Sequence, residues 1–203
     1  MSSFTIRASV FRDLLAGAMV ASGTDATLPT LRAVQLEWED GIVESVATDR
    51  YRISHGKHAI GDLGCTVESG KVLLDRSMVS DLVKVLPKAP KRGQEYATVT
   101  VTVGEGNVKV ACAHESWERT IPTLMGDFPK WRELVDKFRN ATRESVSEVA
   151  YNPAYLADVS KLPHDPKRPV KMSFTEAHKP CVMTYDDYND VAWEYVLMPV
   201  RLG

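Results

Sequence analysis

Apolar and polar residues follow two different periods along the chain, and each period predicts one kind of element. In three segments the apolar residues recur every three or four positions, which is the spacing of an amphipathic helix. Asp75 is a predicted N-cap of the second segment, and Asn152 followed by Pro153 is the clearest start signal of the third. The three predicted helices cover residues 9–20, 75–86 and 152–162.

The third predicted helix carries an apolar stripe that should pack against a sheet. Pro163 ends the run, because proline cannot continue a helix beyond its first turn. The residues expected on its buried face are Tyr155, Leu156, Val159 and Leu162.

Between the helices, apolar and polar residues alternate at period two, as in half-buried strands. The clearest example is ATVTVTVGEGNVKVACA, where a turn at residues 104–107 joins two strands into a hairpin. A second hairpin turns at Asp40 and Gly41, and an acidic turn at residues 186–190 joins the last two strands. The predicted sheets are therefore antiparallel.

The predicted elements repeat one order three times: a strand, a helix and three strands. The repeats cover residues 3–60, 66–124 and 144–202, with little sequence identity between them. This order predicts an α+β fold in which one helix of each repeat covers an antiparallel sheet. The predicted domains are a complete domain of two repeats at 1–126, a linker at 127–143 and a half-domain at 144–203.

Composition is typical of one or two globular domains, with 203 residues that are 44% hydrophobic and 26% charged. A signal peptide and an apolar stretch of roughly 20 residues are both missing, so a soluble cytoplasmic protein is expected. Cys65, Cys112 and Cys181 are odd in number and far apart, which fits a reducing compartment. The net charge of −2 leaves nucleic-acid binding open, because basic residues can gather on one surface.

The sequence has no motif for catalysis or for a bound metal or cofactor. The segment GEGNVK lacks the P-loop pattern, and no serine lies in GxSxG. Asp186, Asp187 and Asp190 lack the spacing of an EF-hand. A non-enzymatic binding protein is therefore expected, with a small α+β enzyme as the weakest alternative. The histidines, which lack partners at metal spacing, are His55, His58, His114, His164 and His178.

Four segments, in order along the chain, resemble one known family. VATDRYRIS (46–54) is similar to ATDGHRLA, with Arg50 and Tyr51 where Gly and His are usual. FPKWRELV (128–135) is similar to FPDYxRVxP without its final Pro, and YNPAYLADVSKL (151–162) is similar to FNxxYLxDxLxxL. YVLMPVRLG (195–203), the most specific segment, is similar to YVxMPMRL. Together these segments resemble the bacterial DNA polymerase III beta subunit, the replicative sliding clamp.

The resemblance implies a DNA-clamp fold of repeated βαβββ units, with antiparallel sheets outside and helices inside. The first two repeats resemble the middle domain of that family, and the third resembles the second half of its last domain. The implied function is a shortened sliding clamp, encoded by a phage or mobile element, that encircles DNA and docks polymerase, clamp loader or repair proteins. A family ring has twelve repeats, so four copies would close it, or three if residues 125–150 contain further structure.

The resemblance also implies a hydrophobic pocket for a linear peptide with a Leu or Phe anchor. Glu133 stands where the family often has Arg, which leaves the charge preference of the rim open. The expected lining residues are Leu31, Thr48, Arg52, Ile53, Pro129, Leu134, Val196, Met198, Pro199, Val200 and Arg201.

DNA would pass the helices of such a ring through phosphate contacts that are independent of base sequence and sensitive to salt. The alternative is a ring-less adaptor or decoy that keeps only the peptide pocket and competes for clamp-binding proteins. The basic residues expected to face double-stranded DNA are Arg12, Lys84, Lys88, Lys91, Arg92 and Lys161.

Overall fold

The computed structural model describes residues 2–60, 69–87, 97–142, 146, 148–163, 165, 167–186 and 191–201. The helices are α1 (Ala8–Met19), α2 (Pro29–Arg32), α3 (Arg76–Val85), α4 (Trp131–Arg139) and α5 (Pro153–Ala157), followed by a 3-10 helix over Asp158–Lys161. The strands are β1 (Ser2–Arg7), β2 (Ala33–Glu39), β3 (Ile42–Thr48), β4 (Arg52–Ala59), β5 (Gly70–Asp75), β6 (Thr98–Gly104), β7 (Asn107–Cys112), β8 (Trp117–Leu124), β9 (Lys171–Ser173), β10 (Cys181–Asp186) and β11 (Ala192–Leu197).

The described strands form one antiparallel sheet in the order β1-β6-β7-β8-β5-β2-β3-β4-β11-β10-β9. The predicted order of strand, helix and three strands is confirmed for the first repeat, β1 to β4, and for the second, β5 to β8. The third repeat differs, because its described first strand is reduced to an isolated bridge between Ala150 and Val200. Its helix and its strands β9 to β11 follow in the predicted order.

The first two repeats exchange their first strands. Strand β1 of the first repeat pairs with β6 of the second, and β5 of the second pairs with β2 of the first. Helices α1 and α3 lie against each other beside these pairs. Because each repeat completes the sheet of the other, the two form a single closed unit.

The predicted helix starts are confirmed by the cap geometry. Asp75 accepts a hydrogen bond from the backbone N–H of Ser77 at 2.8 Å, and Asn152 accepts one from that of Ala154 at 2.9 Å. The predicted hairpin around Gly104 is also confirmed, as β6 and β7.

The predicted buried face of the third helix is wrong for Leu156, whereas Tyr155, Val159 and Leu162 all pack in or against the core. Leu162 is buried, whereas Tyr155 and Val159 are half-buried and Leu156 is 41% exposed. The apolar stripe of this helix has the expected helical period, but a stripe is fully buried only when another element packs over it. In the first two repeats the two helices supply that surface to each other, and no described helix does so for α5.

Trp193 of β11 packs the third repeat against the first. Its ring lies over Gly17 of α1 and over Gly56, its cross-strand neighbour on β4. A Cβ atom at Gly17 would lie 2.0 Å from the ring. Both glycines are therefore needed for the ring to approach the backbone this closely.

A second apolar cluster covers the outer face of the sheet. Helix α4, which lies within the predicted linker, packs Trp131 and Val135 against Val46, Ile53 and Val196. Strands β3, β4 and β11 are thus covered by α1 on one face and by α4 on the other. None of the described helices has the length and apolar character needed to cross a bilayer.

Some residues considered in the sequence lie outside the described residues. They are Cys65, His164, Asp187 and Asp190. Cys112 and Cys181 are described, and both are buried free thiols.

Candidate functional site

A small cavity opens where β4, β11 and the start of α4 meet. Its volume is about 140 Å³, and Ile53, Val196 and Leu134 give it an apolar wall. Eight of the predicted pocket residues line it: Leu31, Thr48, Arg52, Ile53, Pro129, Leu134, Val196 and Met198. Residues from distant parts of the sequence therefore line one cavity.

Three predicted lining residues lie beyond the cavity: Pro199, Val200 and Arg201. The chain leaves the cavity at Met198, whose backbone N–H donates to the carbonyl of Tyr51 at 2.9 Å. Two residues later, the N–H of Val200 donates to the carbonyl of Ala150 at 2.8 Å. The tail is thus held by backbone hydrogen bonds that carry Pro199 and Val200 past the opening.

Three lining residues were missed from the sequence: Arg50, Lys130 and Trp131. Each lies within two positions of a residue that was predicted, so the segments were correct but the side chains facing the cavity were not fully identified. For Trp131, helical spacing with Val135 would have placed both on one buried face. No comparable signal marks Arg50 or Lys130.

The turn between β3 and β4 shapes the rim through local hydrogen bonds. Thr48 Oγ1 donates to the carbonyl of Arg52 at 2.7 Å and accepts from the N–H of Arg50 at 3.2 Å. The Asp49 carboxylate accepts from the N–H groups of Tyr51 and Arg52 at 3.1 and 3.2 Å. Arg50 has a φ of 80°, in the left-handed region that favours glycine. The turn holds this side chain at the mouth of the cavity.

Arg52 joins the cavity wall to the third repeat. Its guanidinium pairs with Asp158 and, at 2.9 Å, with Asp49, and it lies 4.3 Å from the centre of the Tyr155 ring. Tyr195 Oη lies 3.4 Å from the same guanidinium and donates to the Tyr155 carbonyl at 3.0 Å. Burial opposes the charge on Arg52, but its interactions with Asp158, Tyr195 and Asp49 together outweigh burial and raise the pKa of the guanidinium. Arg52 therefore stays charged while lining the cavity.

Helix α4 is anchored to the sheet around a buried histidine. His55 lies with its ring centre 4.5 Å from that of Trp131 and is 5% exposed. Its Nδ1 is 3.2 Å from Glu194 Oε2, and its Nε2 is 3.7 Å from Glu44 Oε1. A protonated imidazole can interact favourably with both carboxylates, because both ring nitrogens then carry a proton.

Two arginines of α4 complete this network. Arg132 pairs with Glu37 and Glu44, and Arg139 pairs with Glu194 at 2.5 Å. Burial favours the neutral form of each glutamic acid, yet hydrogen bonds with His55 and the arginines lower the pKa values of Glu44 and Glu194 to about 2. Burial would lower the pKa of His55, but the two glutamates raise it. Helix α4, which forms one wall of the cavity, is thus held against the sheet by ion pairs.

We expect the unfolding free energy to fall as the pH rises above about 6.5 and through the raised pKa of His55. In that range the folded protein keeps a proton that the unfolded chain releases, so the steepest slope approaches about 1.4 kcal/mol per pH unit. Urea unfolding between pH 6 and 9 measures this dependence of the unfolding free energy on pH. The fall should be reduced in His55→Gln and unchanged in the control His178→Gln, at an exposed position. Equal slopes in His55→Gln and wild type would exclude His55 as the cause.

A wider groove of about 830 Å³ lies on the other side of Trp131. It is open, and acidic residues including Glu37, Glu39, Glu44 and Glu133 line it. Arg132 crosses it and pairs with two of these carboxylates. An apolar anchor would gain little there, so the smaller cavity is the better candidate site.

The basic residues expected to face DNA differ in their exposure and in their ion pairs. Three of them, Lys88, Lys91 and Arg92, lie outside the described residues. The Arg12 side chain is 14% exposed and lies 3.0 Å from the buried carboxylate of Asp13, which disfavours direct phosphate contact. Lys84 and Lys161 are exposed, and each pairs with an aspartate three positions earlier, at 2.7 and 2.5 Å.

Solved structures with the same fold are bacterial sliding clamps, whereas no protein-family model matches the chain. The DNA polymerase III beta subunit of Thermotoga maritima aligns over 100% of this chain with a TM-score of 0.78 and 16% identity. The DNA polymerase sliding clamp of Pseudomonas aeruginosa aligns over 99% with a TM-score of 0.76 and 18% identity. The chain therefore has the sliding-clamp fold. It spans 65–67% of the length of the clamp chains that it matches.

Proposed function

We propose that the chain is a DNA sliding clamp, a processivity factor without catalytic activity. It docks polymerase, clamp-loader or repair proteins through a short peptide and encircles double-stranded DNA as a homo-oligomer. The observation that carries this proposal is the small apolar cavity at the junction of the first and third repeats. The cavity lies where the segments that resemble the clamp family converge.

The size of the cavity favours one peptide side chain. A closed apolar cavity of roughly 150 Å³ accommodates a benzene-sized group, and this one measures about 140 Å³. Phe or Leu is therefore the expected anchor, and Met198 can adjust its shape to either because a thioether side chain is flexible. Burial of one anchor contributes ~1.5–3 kcal/mol. A micromolar Kd corresponds to about 8 kcal/mol, so the other contacts of the peptide must supply the rest.

The charge at the mouth of the cavity favours an acidic residue beside the anchor. Arg50 and Lys130 both line the opening. Lys130 Nζ is 3.9 Å from Glu133 Oε1, an exposed pair that offsets little of its charge. A peptide carboxylate between the two cations would gain a modest, salt-sensitive attraction.

A peptide titration of Met198→Ala tests the docking function. We expect a labelled peptide with a Leu or Phe anchor and an acidic neighbour to bind wild type with a micromolar Kd by fluorescence anisotropy. Met198→Ala should raise the Kd about tenfold, which equals about 1.4 kcal/mol, because it removes one apolar wall of the cavity.

The matched control is the same substitution at Met125, which is 91% exposed and lies outside the cavity. Met125→Ala should bind the peptide as wild type does. Equal affinities of the two alanine variants, or the absence of any binding below about 1 mM, would exclude this cavity as the docking site.

A ring-less adaptor is the second candidate. It is favoured by the burial of Arg12 and by the ion pairs of Lys84 and Lys161, which reduce the positive charge that the described helices can offer to phosphates. Gel filtration with a nicked circular plasmid at about 0.15 M ionic strength separates the two functions. A clamp co-elutes with the circle and is lost when the plasmid is linearised. Peptide binding without retention on the circle would establish the adaptor.

A further inference from the structure

The third repeat lacks the cover that the first two repeats give each other. In those repeats the second strand of each, β2 or β6, pairs with the first strand of the other. The corresponding strand of the third repeat is β9, which ends the described sheet and pairs only with β10. It is three residues long, against seven for β6. One edge of β9 is thus open among the described residues.

The helix of the third repeat is also poorly covered. None of the five residues of α5 is buried, whereas most residues of α1 are. Leu156 on α5 is 41% exposed, and Met172 on β9 is 42% exposed. An open strand edge beside exposed apolar side chains is a surface that soluble proteins normally cover.

The relation between the first two repeats indicates what fits this surface. Their exchange is reciprocal, since the first gives β1 to β6 and receives β5 on β2. A reciprocal exchange is the pattern of two units related by a local two-fold axis. By analogy, another repeat turned about a similar axis could cover the edge of β9, although the third repeat has only the bridge at Ala150 in place of a described first strand.

In a second copy of the chain, only one repeat is available for this role. The first and second repeats of each copy already complete each other, and β4 of the first also pairs with β11 of the third. Strand β1 ends the other side of the described sheet, but its repeat already exchanges strands with the second. The repeat whose second strand lacks such a partner is again the third. Two-fold contacts are self-complementary, so identical surfaces can cover each other.

We propose that the third repeats of two copies pair about a two-fold axis and together complete one clamp domain. The interface contains α5, with Leu156, and the open edge of β9, with Met172. This inference rests on the proposed assembly of several copies, but not on the peptide pocket. If twelve repeats close a ring, as in the family that the sequence resembles, the ring is two such dimers and not a trimer.

Light scattering coupled to gel filtration tests the interface at tens of micromolar protein. Wild type should elute as a dimer or tetramer, and Leu156→Asp should halve the mass, because two carboxylates would meet near the axis. Leu156 is exposed, so the variant should keep its circular dichroism spectrum and its peptide affinity. A monomeric wild type, or a mass unchanged by Leu156→Asp, would overturn the proposal.

Cysteine cross-linking distinguishes the two-fold contact from a head-to-tail one. Leu156→Cys should form a dimer linked through residue 156 of both copies under mild oxidation, since only a two-fold axis brings the same position of two copies together. Wild type controls for the native cysteines, and Lys84→Cys, exposed on α3, controls for random collision. Equal cross-linking of the two cysteine variants would overturn the two-fold arrangement. If the two variants cross-link equally but still bind the peptide, the two-fold arrangement fails while the proposed docking function stands.

Discussion

The Trp193→Ala variant is expected to lose about 3–5 kcal/mol of unfolding free energy. Trp193 is fully buried, lies over Gly17 and Gly56, and stacks on Tyr185 with ring centres 6.3 Å apart. Its removal leaves a cavity between α1 and β11, and the helix cannot move in because its other contacts hold it. Urea unfolding followed by far-ultraviolet circular dichroism measures the loss without depending on tryptophan fluorescence.

A second substitution isolates the contact between Trp193 and α1. Gly17→Ala alone places a methyl group where the ring lies, and overpacking of this kind costs about 1–3 kcal/mol. In the Trp193→Ala background the same methyl group enters the empty space and should cost much less. Additive losses in the double variant would show that the ring and Gly17 do not constrain each other.

The Arg52→Met variant should lose about 3 kcal/mol of unfolding free energy. Methionine keeps the apolar stem of the side chain but leaves the carboxylates of Asp49 and Asp158 without their shared cation. Since both carboxylates are largely shielded from water, solvent replaces the lost hydrogen bonds only in part. Chemical denaturation at pH 7 measures the change. Peptide affinity should fall as well, because Arg52 lines the cavity.

Arg50→Met is the matched control for Arg52→Met. Arg50 is two residues away, is exposed and keeps a non-glycine side chain at the same backbone angle. We expect its unfolding free energy to change by no more than about 0.5 kcal/mol. A loss for Arg52→Met no larger than that for Arg50→Met would show that the network around Arg52 contributes little to stability.

Local signals in the sequence were sufficient for much of the fold. The capping residues Asp75 and Asn152 and the turn at Gly104 act within a few positions of the chain, so their effect can be inferred from neighbouring residues. The repeated order of elements then indicates how the sheets are arranged. Eight residues of the cavity followed from the family resemblance, and all of them except Leu31 lie in the segments that carry it.

Contacts between distant segments could not be inferred in this way. The pairing of His55 with Glu44 and Glu194 depends on the register of three strands, which no local pattern specifies. Helix α4 lies in the predicted linker, and no local pattern indicated that its arginines pair with the sheet or that its apolar side covers the sheet. The exposure of Leu156 depends on a partner surface that the described chain does not supply.

The pairing of β4 with β11 also determines when the cavity can form. Arg52 and Tyr195, which meet at this junction, are 143 positions apart in the sequence. A nascent chain therefore displays the Arg52 side of the cavity long before residues 192–198 leave the ribosome. Closing so large a loop is among the slower steps of folding. The cavity should thus mature late relative to the first repeat, and a chain synthesised only as far as β10 has no completed site for a partner peptide.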